Sequence, residues 1–320
     1  NICIGKDAGL SMTDNDSNIA IGTGAMMDAE DGEHSNIAIG YNAMKDCIHD
    51  GTDGNIAIGN NAMLGGSNIL STNVVIGYNA LDTTDASCTG AVAVGAYTMG
   101  TALVNTNANY TTAIGYNALT DLTSGSQNTA VGAYAGDDIA DGAYNTIVGY
   151  EAMANNVQGD KNTAIGFYAG LDLETSGHSN TFVGASSGNT TTTGTENTII
   201  GYNCEAEDAT ATNQIVIGNN FNGVADNAVH IGNDTRHIRC DFGSDQTWDA
   251  PSDERLEHHG LIAQTVKAAL DEAGVVDFSG WDVDPDGMQT VGESAFVYPL
   301  MKAVQELSAQ VEELKNKQEK

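Results

Sequence analysis

The side chains best suited to chemistry lie toward the carboxyl end of the chain. Ser252 stands directly before Asp253, and Glu257, His258 and His259 follow closely. A hydroxyl and an imidazole in one short stretch are the types that a nucleophile and its base require. Read locally, Ser252 after Pro251 is a helix N-cap for the segment behind it, and paired histidines beside a helix start are surface residues. Other chemistry would come from loop carboxylates. Asp14 with Asp16, and Asp137 and Asp138 with Asp141, gather the several oxygens that calcium demands. None follows an EF-hand or nonapeptide pattern, so no cofactor is expected beyond, at most, calcium in these acidic loops. The five cysteines, Cys3, Cys47, Cys88, Cys204 and Cys240, are odd in number and share no metal-ligand spacing. Cys3 and Cys204 fall where other repeats place alanine, and read as small buried hydrophobes in a compartment that keeps thiols reduced.

The element that positions most residues is a repeat. A glycine preceded by Ile or Val recurs fourteen times, from Gly5 to Gly232, and the first thirteen are 17 to 20 residues apart. A fixed period in that range means stacked coils rather than a closed globule. Counted from the glycine, position −1 is always Ile or Val and position −3 is always β-branched, as in Ile19 and Ile21 or Thr163 and Ile165. Such residues suit a strand, and a spacing of two puts both on one face. Position −4 is Asn in ten of the fourteen units, where a side-chain amide can bond its equivalent one coil away, forming a ladder at a corner. A small residue three places after the glycine, as at Ala43, Ala62 and Ala80, is often followed by Met or Leu, and predicts a second short strand or bend. The rest of each unit is Asp, Ser, Thr, Gly and Asn of variable length, the composition of turns.

With coils about 4.8 Å apart, about fourteen of them make a rod of roughly 65 Å. One coil encloses little, so a single chain would bury a thin core and leave an apolar stripe exposed. Three chains around a common axis would cover that stripe. The fold class expected is therefore an all-β repeat body over residues 1–235, a trimeric parallel β-roll or solenoid. A monomeric solenoid closed on itself is the alternative.

Asp and Glu number 43 against 11 Lys and Arg, giving a formal net charge of −32. A rod so acidic offers no basic cluster for phosphates, which excludes nucleic acid as a direct partner. Its loop carboxylates keep a sheet-rich surface soluble and self-repelling. No apolar run is long enough to insert in a membrane. Asn1 already lies inside a repeat, so an earlier start of the native chain is expected. Tyrosines in the YNAM, YNAL and GAYAG segments read as repeated packing residues or as surfaces for sugar rings.

After Gly232 the period fails. Residues 236–251 read as a linker, and 252–320 as a small α-helical domain. Leu261, Ile262, Val266, Ala269 and Leu270 share one helical face. In a terminal helix over 298–319, Leu300, Val304, Leu307, Val311 and Leu314 make two coiled-coil heptads.

The repeats, over about residues 1 to 232, resemble the β-roll heads of trimeric autotransporter adhesins, and more closely the NTAIG-type repeats of phage tail-fibre proteins. The terminal segment resembles the endosialidase-type intramolecular chaperones, on three motifs. These are Ser252-Asp253-x-Arg255-Leu256, the run from His259 and Gly260 to Gln264, and the ending with Tyr298 and KAVQEL. That resemblance implies a domain that trimerises, sets three fibre chains in register and cuts itself off at Ser252–Asp253. It implies Ser252 as the attacking hydroxyl, helped by a lysine about five residues on. Here that place holds Glu257, which leaves His258 or His259 as base, and the first two motifs are fused where relatives separate them. The domain is then a minimal or inactive chaperone, or a segment after Leu256 is missing.

The expectation is a homotrimeric phage tail fibre, made in the host cytoplasm and carried on the virion, that attaches to a host-cell surface. Its partners would be its own copies, tail or baseplate proteins, and a surface receptor such as a glycan. The alternatives are a polysaccharide-degrading tail spike and a cellular trimeric surface adhesin. No turnover enzyme is expected, at most a single self-cleavage.

Overall fold

The structure, a computed structural model, describes residues 1–241 apart from 30–31, 48, 67–68, 83–86, 101–107 and 175, together with 281–283 and 289–291. The chain divides into two compact units, Asn1–Ala250 and Pro251–Lys320. The first is a parallel β-solenoid of about 13 turns. Its 15-stranded sheet runs in sequence order, and every neighbouring pair is parallel until the last. Each coil contributes a three-residue strand, such as Ile37–Ile39, Thr129–Val131 or Thr163–Ile165, in register with its equivalent in the next coil. The last coils lengthen to Thr198–Glu205 and Gln214–Asn222. Ala228–Asn233 then pairs antiparallel with Arg236–Asp241, residues of the segment read as linker. In the turn between them the Asn233 side chain accepts bonds from the Thr235 and Arg236 amides.

The strand faces are as the β-branched pattern implies. The middle residue points inward and is fully buried, as Ala20, Ala38, Ala130, Ile147, Ala164 and Phe182. Positions −3 and −1 point out. The second interior row comes after the glycine, where Ala25, Ala43, Ala62 and Ala118 are followed by Met26, Met44, Met63 and Leu119, all fully buried. That segment is a bend rather than a strand in all but the last coils. Core volume is shared between bends and the strands beside them. In the coils of Ala20, Ala38, Ala57, Ala93 and Ala113 the bend carries Met or Leu; it carries glycine at Gly136, Gly170 and Gly188, where an added Cβ would strike Ile147 or the Phe182 ring. In so thin an interior a large inward side chain takes the space of a neighbouring bend.

The repeated glycine is required twice over. Gly149 has φ +143° and Gly166 φ +144°, and a Cβ on Gly149 would overlap the carbonyl oxygen of Gly166 in the next coil. The same approach recurs along the row, so every coil closes on the glycine of its neighbour.

The asparagine corner is buried. Each Asn Oδ1 accepts the backbone N–H of the next Asn, as Asn145 from Asn162 at 2.8 Å, and each Nδ2 donates to a carbonyl of the following coil, as Asn145 to Gly159 at 2.8 Å. Amide-to-amide side-chain bonds of the expected kind also occur, as Asn180 Nδ2 to Asn162 Oδ1 at 3.2 Å. Ala91 and Thr111 interrupt the ladder, and there Asn128 N–H reaches only the Thr111 hydroxyl at 3.4 Å.

Two expectations are corrected or refined. Cys47, Cys88 and Cys204 are buried, but Cys3 is exposed, on a strand whose one described partner is Ile19–Ile21. In the second unit the described residues form two antiparallel strands, Trp281–Val283 and Gln289–Val291, within a segment read as helical. The expected helices at 261–270 and 298–319 lie outside the described residues.

Candidate binding surface

Ser252, Asp253, Arg255, His258, His259, Gly260, Gln264 and Tyr298 all lie outside the described residues, so the geometry that can be built belongs to the solenoid. Two outward features stand out there, an aliphatic stripe and an aromatic row.

The stripe is made by positions −3 and −1. Ile76, Ile114, Ile165, Ile200, Ile217 and Ile231 are each 36 to 43% exposed, Ile4 more so, and the remaining −1 residues are half-buried beside them. At −3 the row is Ile or Val near both ends and Thr from Thr112 to Thr198. Among the described residues nothing covers this face, and isolated apolar side chains are ordinary on surfaces whereas an unbroken row is not.

The aromatic row starts just past the glycine. Rings of Tyr78, Tyr97, Tyr116, Tyr134 and Tyr150 follow one another at centroid separations of 5.4, 5.9, 5.4 and 6.1 Å, each turned 73 to 85° from the last. Tyr150 then stacks on Phe167 at 5.6 Å and 13°, and Tyr168 lies against both. The ring is supplied from alternating positions. Where the residue after the glycine is Ala96 or Ala133, the next one is Tyr97 or Tyr134; where it is Tyr78, Tyr116 or Tyr150, the next is Asn79, Asn117 or Glu151. Tyr97 and Tyr134 accept positive φ, +58° and +57°, at a position that Asn fills elsewhere. The tyrosines are evident in the sequence but the row is not, since its continuity depends on a one-residue offset between repeats.

Carboxylates flank the rings. The Tyr150 phenol, hydrogen-bonded to Glu151, is pushed up to about 12, and those of Tyr97 and Tyr134 are raised by burial and by neighbouring phenols and acids. All three are therefore neutral hydroxyls near pH 7. Burial raises Asp82, Asp137 and Asp138 as well, with neighbouring Asp121 adding to the last two. Asp141 is held low by bonds from Ser124 at 2.6 Å and Thr123 at 2.8 Å. Glu205, nearly buried, is raised by that burial although the Asn189 and Thr190 amides and the Thr190 hydroxyl donate to it. Among the described residues no group of three or more His, Cys, Asp and Glu is placed to hold a metal ion. Among them, too, no helix is long and apolar enough to cross a membrane.

Comparison with known proteins gives no further assignment: no protein family, no curated protein and no solved structure matches the chain.

Proposed function

We propose that the chain is the shaft or tip of a homotrimeric phage tail fibre that attaches a virion to its host-cell surface, with residues 252–320 acting as the chaperone that aligns three copies. The observation that carries this reading is the outward Ile/Val row. It is continuous, runs along the coil stack and lacks a partner among the described residues, while the inward Ala, Met and Leu rows already close the coil's own core. Burying such a face at roughly 25 cal/mol per Å² favours association along the whole rod rather than at one contact. Three copies of every outward loop would then face one receptor surface, so that weak single contacts add through avidity. Tail or baseplate proteins would hold the other end.

The test is Ile165→Asp against Asp138→Asn, followed by light scattering of the soluble protein. Ile165 is 40% exposed in one chain, so the aspartate leaves the coil intact but puts unpaired charges into the proposed three-chain interface. The expected result is a trimer for Asp138→Asn and loss of trimer for Ile165→Asp. Equal trimer yields from both would refute the assignment of this face. Self-cleavage at Ser252–Asp253 is read separately by intact-mass measurement. Ser252→Ala should leave the chain whole, and cutting of the parent chain with Glu257 in place would make His258 or His259 the base.

A further inference from the structure

The aromatic row is a feature that trimer formation leaves unexplained. Coil closure does not need it, because Asn60 and Ala185 occupy the same station in coils of the same register. Nor is it scattered as surface aromatics usually are: one ring is kept per coil from Tyr78 to Phe167, and at Tyr97 and Tyr134 this is done from a left-handed backbone position. Despite touching one another, Tyr78, Tyr116, Tyr150 and Phe167 remain 43 to 49% exposed. A residue choice that breaks a local preference and leaves apolar surface in water points to a ligand.

We infer that the row from Tyr78 to Tyr168 is a binding track for a neutral, extended polysaccharide lying along the solenoid axis. The inference rests on the surface-attachment reading and names its ligand class. Four features select that ligand. Tyrosine offers a flat apolar face for sugar C–H groups and a hydroxyl for sugar oxygens, combining both contacts in a stiff side chain. From Tyr78 to Tyr150 the rings alternate in orientation, so equivalent rings recur every second coil, roughly 10 Å apart. A ribbon-like polysaccharide, in which alternate sugars are flipped, has a two-sugar repeat of nearly that length. Asp82, Asp137 and Glu151 lie close enough to act on the phenols of the row and can accept sugar hydroxyl bonds. Lastly, Lys161 is the single Lys or Arg between Lys45 and Arg236, so an anionic polymer would meet chiefly like charge.

Isothermal titration of the full chain with chitohexaose, cellohexaose and mannohexaose tests this, with an oligogalacturonate as the anionic comparison. The expected result is binding of at least one neutral oligosaccharide, with none of the acidic one. The double variant Tyr116→Ala, Tyr150→Ala should weaken binding by about tenfold or more, as loss of central aromatic anchors does. Tyr116→Phe with Tyr150→Phe should retain it within about threefold, which separates loss of the rings from loss of fold. Tyr202→Ala, whose ring is cut off from the row by Ala185, should have no effect. Failure of all three neutral ligands, preference for the acidic one, or binding indifferent to the double variant overturns the inference. The same samples give the oligomeric state by light scattering. A trimer that binds none of the neutral ligands leaves the fibre reading standing and sinks the track; a monomer that binds through the row does the reverse.

Discussion

Replacing Asn145 by alanine tests whether the buried amide ladder holds the coils together. Asn145 is 1% exposed, its Oδ1 takes the Asn162 N–H at 2.8 Å, and its Nδ2 reaches the Gly159 carbonyl at 2.8 Å. Alanine leaves one buried donor and one buried acceptor without partners, each costing about 1–3 kcal/mol, so a loss of about 3 kcal/mol is expected. In a one-dimensional stack the damage stays near its own coil. The suitable assay is therefore amide hydrogen exchange, in which the Asn162 amide should exchange roughly a hundredfold faster. Asn145→Asp adds a sign test. It keeps the acceptor but turns an oxygen toward the Gly159 carbonyl, so its folded-state carboxyl must be raised above its unfolded value. Its extra cost should vanish below the unfolded value, where the protonated acid can donate to Gly159, and should grow as pH rises through and above it. The control is Asn155→Ala, an exposed amide bonded to Asp172 at 2.8 Å, with an expected loss below about 0.5 kcal/mol. Less than about fivefold faster exchange at Asn162, or equal losses from Asn145 and Asn155, would refute the ladder's role.

Gly149→Ala should cost about 3 kcal/mol or more, since it combines a forbidden φ of +143° with overlap on the Gly166 carbonyl. Gly54→Ala, at φ +66° with only the Thr72 methyl at 3.6 Å, should cost about 1 kcal/mol; denaturant midpoints compare the two. Glu205, Asp82, Asp137 and Asp138 are all raised, chiefly by burial, so the folded chain binds more protons than the unfolded one just above the ordinary carboxylate range. Stability should accordingly rise as pH is lowered from 7 toward about 5, and Glu205→Gln should flatten part of that slope in thermal melts; a rod less stable at the lower pH would contradict the sign.

The repeat frame, the strand faces, the glycine and the asparagine corner were legible because parallel in-register stacking makes each residue the neighbour of its own equivalents. Position in the repeat then reports environment directly. What resisted reading depends on relations between unlike positions. The alternation that puts Tyr97 beside Tyr78 is invisible to an alignment by column, and so is the pairing of Phe182 with Gly170 and Gly188. The bend after the glycine was read as a strand or bend because Ala-Met has no marker of the positive φ that Met44 and Leu119 adopt, +52° and +51°. The antiparallel return after Asn233 did carry a signal, since Asn-Asp-Thr-Arg can form the side-chain-closed turn that is found there.

These relations separate what the coil needs from what it displays. Inward positions are constrained by volume and the corner by hydrogen bonds, so both answer to the needs of the stack. Outward positions carry no such constraint, and two different outward patterns are nevertheless kept over many coils. At position −1 the aliphatic row is Ile or Val in every coil, as suits a face that would meet copies of itself. The aromatic row is confined to consecutive coils and ends at Ala185, as a track for a ligand of finite reach would. Association and recognition would therefore sit on separate columns of one repeat, and three tracks held parallel by the aliphatic faces would raise the effective concentration of ring stations without altering any of them. A contact too weak to hold one chain on a surface would then suffice for a trimer.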